Sequence, residues 1–416
     1  MRIDLNDVAL QSAECRSLAN GVKIYILSSE EFEVLRVSFV FGAGSVVQER
    51  PFSATATANM LCEGSETMSA QQIAEQLDYY GSYFDVNVDR DYSYISFCSL
   101  SKFVAPTLDV AEQIILHPVF PEHEIRTYCN KRKQRLAIER EKVETKAREA
   151  FAKSLFGDNH PYGMSFSESE YDNLKREDLL SIYERFYTAE NCFVVCSGRV
   201  GEVEMARIEQ LAGRLRSVGR VPEVKFSQAV SRKFHLVEQP DAVQSSIRIG
   251  RRLFTRNHPD FLGMQLLATA LGGYFGSRLM QSLREERGLT YGVMSAMVNF
   301  ARDGYFAVAT QVGVESTREA IDLIYAQMER LREELVSEDE LEMVRRIIVG
   351  EIMRILDGPF GVADVTIENI LCGEDNGVIA RNVKRIESYT PADLQDLARR
   401  YLDPEEMVCV VSGRID

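Results

Sequence analysis

Residues 389–415 read YTPADLQDLARRYLDPEEMVCVVSGRI, and residues 174–200 read LKREDLLSIYERFYTAENCFVVCSGRV. At a constant offset of 215, both stretches carry an Asp-Leu pair in a helical pattern, an Arg near the helix end, and a final Ser-Gly-Arg after an apolar run. The match runs over 27 positions without a gap. A period of roughly 200 residues is too long for a solenoid repeat, so it predicts two tandem homologous domains.

Flanking sequence extends the repeat and locates the junction between its halves. PEHEI at residues 121–125 is echoed by SEDEL at residues 337–341, at an offset of 216. Between the halves, residues 201–230 contain Gly201, Gly213, Gly219 and Pro222 around a short helical pattern, which is typical of a linker. We therefore predict an N-terminal domain over residues 1–215 and a C-terminal domain over residues 225–416.

Strand-like alternation and helical spacing recur in the same order in both halves. The predicted strands are Gly21–Ser28, Glu33–Phe41, Tyr83–Asp89, Tyr92–Leu100, Ser246–Leu253, Tyr291–Val298 and Gly304–Val312. The predicted helices are Pro51–Leu61, Ser69–Tyr80, Phe103–Leu116, Pro121–Leu155, Arg176–Tyr187, Ser316–Leu335, Ser337–Leu356 and Pro391–Tyr401. Because the strands come in pairs rather than alternating strictly with helices, the expected fold class is α+β, with each domain an antiparallel sheet covered by helices.

Composition narrows the class of protein. Of 416 residues, 45% are apolar and 27% charged, which is ordinary globular composition, and no apolar run is long enough to cross a bilayer. Subtracting 63 acidic from 48 basic residues leaves a net charge of −15, which disfavours binding to phosphate backbones. The first twelve residues lack the apolar block of a signal peptide. We expect a cytoplasmic protein that binds neither nucleic acid nor membrane.

No catalytic centre is visible in the residues themselves. The eight cysteines are scattered without a CxxC pair, which favours reduced structural thiols, and no two of the five histidines lie one helical turn apart. The glycine-rich stretches at Gly42–Ser45 and Gly272–Ser277 match neither a P-loop nor a dinucleotide fingerprint. No GxSxG elbow occurs. The residues alone predict an acidic two-domain protein without visible catalytic machinery.

Residues 271–293, LGGYFGSRLMQSLREERGLTYGV, resemble the C-terminal domain signature of the M16 metallopeptidases, the group of pitrilysin, insulysin and mitochondrial processing peptidase. The resemblance extends over nearly the whole chain, because that family is built from tandem α+β domains of about 200 residues. It implies that an Arg and a Tyr seven residues later bind substrate in the active site of the other domain or subunit. Here those positions are Arg284 and Tyr291, whose guanidinium and phenol can donate hydrogen bonds to a peptide carbonyl as it becomes an oxyanion.

The zinc motif of active M16 members is absent. That motif is HxxEH, with two histidine ligands and a glutamate base, but the corresponding residues 55–59 read TATAN. Thr55 and Asn59 stand in place of the histidines and Ala58 in place of the base, while Glu139 is the nearest equivalent of the distal ligand. Neither a neutral hydroxyl nor an amide completes a zinc ligand set. We expect no metal or other cofactor in this chain and no activity of the chain alone.

One bacterial subfamily of the M16 group divides the work between two chains, and this sequence resembles the chain that carries the Arg/Tyr pair. The resemblance implies a non-catalytic subunit of a heterodimeric zinc peptidase, with zinc in a partner of similar length that bears HxxEH, and with peptides as substrates. A homodimer remains open, as do two other functions: a catalytically inactive M16-fold scaffold and a peptide-binding protein. The retained Arg284 and Tyr291 argue against a pure scaffold.

Overall fold

A computed structural model describes residues 10–219, 221 and 233–415. Its strands are β1 (Glu14–Ser17), β2 (Lys23–Ser28), β3 (Val34–Phe41), β4 (Tyr83–Val88), β5 (Ser93–Leu100), β6 (Cys192–Gly198), β7 (Phe234–Glu238), β8 (Gln244–Leu253), β9 (Val293–Asn299), β10 (Gly304–Gly313) and β11 (Val408–Gly413). Its α-helices are α1 (Ser53–Met60), α2 (Ala70–Tyr79), α3 (Val104–Leu116), α4 (Glu122–Arg140), α5 (Val143–Phe156), α6 (Arg176–Phe186), α7 (Glu202–Gly213), α8 (Phe261–Ala268), α9 (Thr317–Glu333), α10 (Glu338–Ile355), α11 (Pro359–Leu371), α12 (Gly377–Ser388) and α13 (Pro391–Tyr401).

The strands form two sheets, one in each half of the chain. The first has the order β1-β2-β6-β3-β5-β4 and the second the order β7-β11-β8-β10-β9. The α+β class is confirmed, but the expectation of purely antiparallel sheets is wrong. Strand β6 pairs parallel with β2, and β11 pairs parallel with β7. Each of these strands follows a long crossover through the helices of its own half, and a crossover of that kind lets a strand return parallel to an earlier one.

The two Ser-Gly-Arg tripeptides lie at equivalent places, as the repeat predicts. Both β6 and β11 are inserted between a parallel neighbour on one side and an antiparallel neighbour on the other. Gly198 and Gly413 end these strands with φ values of 116° and 143°. A Cβ at Gly198 would lie 2.1 Å from the carbonyl oxygen of Val34. Left-handed backbone and lack of space both demand glycine there, which explains why the residue recurs.

Each half buries a core between its sheet and its own helices. In the first half Val37, Phe39 and Phe97 of the sheet pack with Leu108 and Ile182 of the helices. The second core is built in the same way from its own sheet and helices. The predicted linker falls partly in α7, which packs on the first core through Ile208 and Leu211, while residues 222–232 lie outside the described part of the chain.

One helix of each half lies on the sheet of the other half. Phe151 and Leu155 of α5 pack with Val408 and Val410 of β11. Reciprocally, Ala363 and Ile367 of α11 pack with Leu27, Val40 and Val195 of the first sheet. The two helices begin 216 residues apart, at the offset of the weaker repeat. The halves are therefore interlocked rather than joined by the linker alone.

The packing of α5 on the second sheet explains why one helix prediction is wrong. The pattern over Pro121–Leu155 predicts one helix, but the structure has α4 and α5, separated by Glu141 and Lys142. Lys142 is extended, with a ψ of 131°. Helix α4 stays in the first half whereas α5 crosses to the second sheet, so the chain has to turn between them.

Among the described residues, no helix combines the length and apolar character that a membrane crossing requires.

Candidate functional site

Helix α1 carries the three positions of the degenerate zinc motif. It begins after Phe52, whose left-handed backbone (φ 65°) costs a non-glycine residue roughly 1–2 kcal/mol. The Phe52 ring stacks on Tyr171 with centroids 4.1 Å apart, which helps to hold this conformation. Phe52 and Thr55 both line a cavity between the two halves of the chain. The position of the zinc motif is therefore preserved in the fold, although the residues at that position are not zinc ligands.

The side chains that replace the zinc ligands are occupied with other contacts. The Asn59 amide donates to the carbonyl oxygen of Thr55 at 2.7 Å, and its oxygen accepts a hydrogen bond from Arg132 at 3.4 Å. Ala58, at the position of the general base, is fully buried in the first core. A guanidinium beside Asn59 opposes a divalent cation by charge repulsion. This helix face holds neither metal ligands nor a base.

Glu139, the expected remnant of the distal ligand, is also engaged. It lies near the end of α4 and accepts a hydrogen bond from Arg135 at 2.9 Å, which holds the pKa of Glu139 below its usual value. Within residues 10–219, 221 and 233–415, no group of three or more His, Cys, Asp or Glu side chains is placed to hold a metal ion. The donor set around α1 does not fit zinc.

We predict that the purified chain binds no stoichiometric zinc and cleaves no peptide by itself. The physical reason is that Thr55 and Asn59 are neutral oxygen and amide groups, with Arg132 beside them. Metal analysis after dialysis, together with a peptidase assay on the isolated chain, tests this prediction. About one tightly held zinc per chain, lost on changing Asn59, would contradict it.

The cavity beside α1 is built from both halves and has a volume of about 560 Å³. From the first half it is lined by the turn between β4 and β5 and by Arg148 and Glu149 of α5. The second half contributes Arg256, Glu368 and residues 299–301. None of these charged residues was singled out from the sequence. The one local signal was the Asp-Arg-Asp turn at residues 89–91, between two predicted strands.

Burial changes the acidity of the carboxylates in this cavity. Asp91 accepts hydrogen bonds from the Tyr162 hydroxyl at 2.7 Å and from the backbone N–H of Ala301 at 3.0 Å. Burial nevertheless raises the pKa of Asp91 above its ordinary value. Burial also raises the pKa of Glu368, and Asp89 adds to that effect while Arg256 opposes it. Through its hydrogen bonds with Tyr162 and Ala301, Asp91 links the first half to the second in the cavity wall.

Arg284 is held in place at the other candidate site. It lies in a π-helical segment, Met280–Glu285, and its guanidinium carbon is 4.8 Å from the ring centroid of Phe275. The segment ends in a Schellman-type turn, in which Leu289 N–H donates to the carbonyl oxygen of Leu283 at 2.8 Å. Gly288 makes this turn with a φ of 65°. The Arg284 side chain is 38% exposed, with Glu285 at 3.6 Å.

Tyr291 follows directly and points into solvent. The sequence pattern predicts a strand over Tyr291–Val298, but β9 begins at Val293, so Tyr291 lies in the preceding turn. Thr290 holds the turn, since its hydroxyl contacts the backbone of Gly292 and the hydroxyl of Thr310 at 3.0 Å. The Tyr291 side chain is 92% exposed. Neither Tyr291 nor Arg284 lines the cavity beside α1, so the two candidate sites are separate in this chain.

Comparison with protein families divides the chain into two matched regions. Residues 26–162 match the family described as "Insulinase (Peptidase family M16)". Residues 173–348 match the one described as "Peptidase M16 inactive domain". Together the two regions cover most of the chain.

Among individual relatives, an uncharacterised zinc protease of Bacillus subtilis is 20% identical over 342 residues, covering 81% of this chain and 83% of its own length.

A second relative, an uncharacterised zinc protease of Mycobacterium tuberculosis, is 24% identical over 360 residues, covering 83% of this chain and 80% of its own. Among solved structures, a peptidase M16 inactive domain from Pseudomonas fluorescens has a TM-score of 0.85 at 22% identity, covering 97% of this chain and 98% of its own. A protease from Helicobacter pylori also has a TM-score of 0.85, at 15% identity, covering 96% of this chain and 99% of its own. These structures share the two-domain fold.

Proposed function

The chain belongs to the M16 peptidase family, and on that basis we propose that it is the non-catalytic, Arg/Tyr-bearing subunit of a heterodimeric zinc peptidase. The observation that carries the proposal is the contrast between its two sites. The α1 site has lost its ligands and base, whereas Arg284 and Tyr291 are retained on a surface outside the chain's own cavity. In the proposed heterodimer, the partner chain brings the peptide to these two donors.

The chemistry of the two side chains supports a role in stabilising an oxyanion. A guanidinium and a phenol are both hydrogen-bond donors, and donors aimed at a peptide carbonyl stabilise the negative charge that develops when water attacks it. The Phe275 ring lies beside Arg284, and the Thr290 hydroxyl stabilises the backbone turn from which Tyr291 projects.

The surface around this pair is apolar enough to favour a partner. Phe275 and Met294 are 60% and 61% exposed, and Tyr291 lies between them in the sequence. Strand β9, which carries Met294, is an edge strand of the second sheet. Exposed apolar side chains beside an unpaired strand edge are typical of a protein–protein contact. A stable contact of standard size at this surface would bury about 1,600 Å² in total.

We predict that this chain co-purifies from its native host with an M16 homologue that bears HxxEH. Mass spectrometry of the affinity-purified chain identifies the partner, and mixing the two purified chains tests whether peptidase activity requires both. A Met294→Glu substitution is expected to weaken the pairing, because it puts a charge into the apolar surface. The matched control is Leu335→Glu, at an exposed apolar residue that follows α9.

Two results would contradict the proposal. Recovery of the chain only as a monomer or as its own homodimer, from cells in which the peptidase activity is present, would favour the scaffold. A homodimer that retains peptides without cleaving them would favour the peptide-binding function.

A further inference from the structure

We propose that the cavity between the two halves is a binding site for an oxyanion, held by Arg90 and Arg148 with Arg248 behind them. The site belongs to this chain alone, so it does not depend on a partner subunit. The three arginines come from three elements that are distant in sequence: the β4–β5 turn, helix α5 and strand β8. In a protein with a net charge of −15, such a cluster requires an explanation.

The fold brings the three side chains to one place. Arg90 and Arg148 line the cavity. Arg248 faces α5, since its guanidinium is 4.0 Å from the carboxylate of Glu144. Tyr305 of the neighbouring strand β10 lies on the same side of the sheet, with its ring 5.9 Å from that of Phe151 in α5. The exchange of α5 onto the second sheet is therefore what assembles the cluster.

Three carboxylates near the cluster, those of Glu149, Asp91 and Glu144, accept hydrogen bonds from other donors. Glu149 accepts two hydrogen bonds from Arg140, at 3.0 and 3.3 Å. Asp91 accepts the bonds from Tyr162 and Ala301 described above. Glu144 accepts a hydrogen bond from Gln311 at 3.1 Å. Among the described residues, the side chains of Arg90 and Arg148 make no hydrogen bond or ion pair with protein.

Arg148 lies close enough to the other two arginines to act electrostatically on both of them. Burial lowers the pKa of Arg90, and the like charge of Arg148 adds to that effect against Tyr305, Asp91 and Glu149. Burial also lowers the pKa of Arg248; Arg148 acts in the same direction, while Tyr305 and Glu144 oppose it. Arg90 and Arg248 are partly buried, and like charges repel one another more strongly there than at an open surface. A bound anion would offset this repulsion and accept hydrogen bonds from the guanidinium N–H groups of Arg90 and Arg148.

The donors select the class of ligand. Guanidinium groups present planar sets of N–H donors that fit carboxylate and phosphate oxygens in bidentate fashion. The shared chemistry is thus a group with at least two negatively charged oxygens. Its two sources are the carboxylate of a peptide lying in the cavity and free inorganic phosphate, and about 560 Å³ is enough space for either.

The test is calorimetric titration of the full chain at constant ionic strength. The probes are inorganic phosphate, N-acetyl-trialanine with a free carboxylate, and the C-terminal amide of the same peptide. We expect phosphate or the free carboxylate to bind and the amide not to bind. Arg90→Gln and Arg148→Gln are each expected to weaken the binding at least about ten-fold, as for the loss of one charge-assisted contact.

The control is Arg135→Gln, which removes an exposed arginine that pairs with Glu139 and does not line the cavity. It should bind the same anion as the original chain does. Thermal unfolding shows whether each variant is folded, and Arg148→Gln is the safer of the two because that side chain is exposed. The proposal fails if neither anion binds, or if both arginine variants bind as tightly as the original chain.

Discussion

Replacing Tyr291 with Phe is expected to lower the kcat of the reconstituted two-chain peptidase about 100-fold, the usual effect of losing one oxyanion donor. Phe retains nearly the whole volume of Tyr and loses only the hydroxyl, so assembly of the pair should be preserved. The Tyr291 side chain is 92% exposed in the isolated chain, so the change also leaves the fold of this chain intact. Steady-state kinetics on the purified pair gives the result.

Arg284→Ala is expected to act in the same direction and to a similar extent. If the two donors strengthen their bonds as charge builds on the carbonyl oxygen, the loss falls on kcat rather than on KM. A group that merely anchors the substrate would instead raise KM and leave kcat unchanged. The ratio of the two effects therefore distinguishes transition-state stabilisation from simple binding.

Arg287→Ala is the matched control for this pair of substitutions. Arg287 lies three residues after Arg284, is exposed, and contacts Glu319 at 3.4 Å. Its loss should leave both kinetic constants close to those of the original pair. Near-normal kinetics for Tyr291→Phe and Arg284→Ala, in a heterodimer shown to be intact, would mean that the two residues are only inherited scaffold.

Phe156→Ala is expected to lower the free energy of unfolding by about 3–5 kcal/mol, the usual cost of removing a buried aromatic ring. Phe156 ends α5 and is only 1% exposed. Its ring contacts Tyr162 of the first half and Phe300 and Tyr305 of the second, with centroids 5.6, 6.1 and 6.3 Å away. The substitution thus leaves a cavity at the point where the two halves interlock.

Urea unfolding followed by circular dichroism measures this effect. Tyr79→Ala is the control, because Tyr79 is also aromatic but largely exposed, and its loss should change the free energy by less than about 0.5 kcal/mol. A change below about 1 kcal/mol for Phe156→Ala would show that the contact between the halves contributes little to stability.

Local patterns predicted most elements of each half. Alternation identified β2, β3, β4, β5, β8, β9 and β10, and helical spacing identified α1, α2, α3, α6, α9, α10 and α13 to within a few residues. The Ser-Gly-Arg repeat predicted equivalent strand positions, because glycine is needed where each of those strands ends in left-handed backbone. Helices α11 and α12 were missed. Helix α11 buries the polar Thr366 and Asn369 as well as the apolar Ala363 and Ile367, which obscures a simple amphipathic pattern.

The candidate site residues, too, were predicted where a local motif identifies them and missed where only the fold brings them together. Thr55, Ala58, Asn59, Arg284 and Tyr291 were identified because they stand at fixed places in short motifs. The arginine cluster was missed because Arg90, Arg148 and Arg248 belong to three separate segments, and no spacing along the chain relates them. Similarly, the separation of Tyr291 from the cavity depends on the turn held by Thr290 and Thr310.

The sequence by itself determined the repeat, the α+β elements and the loss of the zinc ligands, because each of these is written in neighbouring residues or in a constant offset. Only the tertiary structure decided that α5 and α11 exchange between the sheets, and that Arg132 takes the place beside Asn59. The physical reason is that contacts between distant segments depend on which apolar faces pack against each other, and the apolar faces of this chain are similar in character. Because the hydrophobic effect is non-directional, an apolar pattern predicts that a helix face is buried but not which sheet buries it.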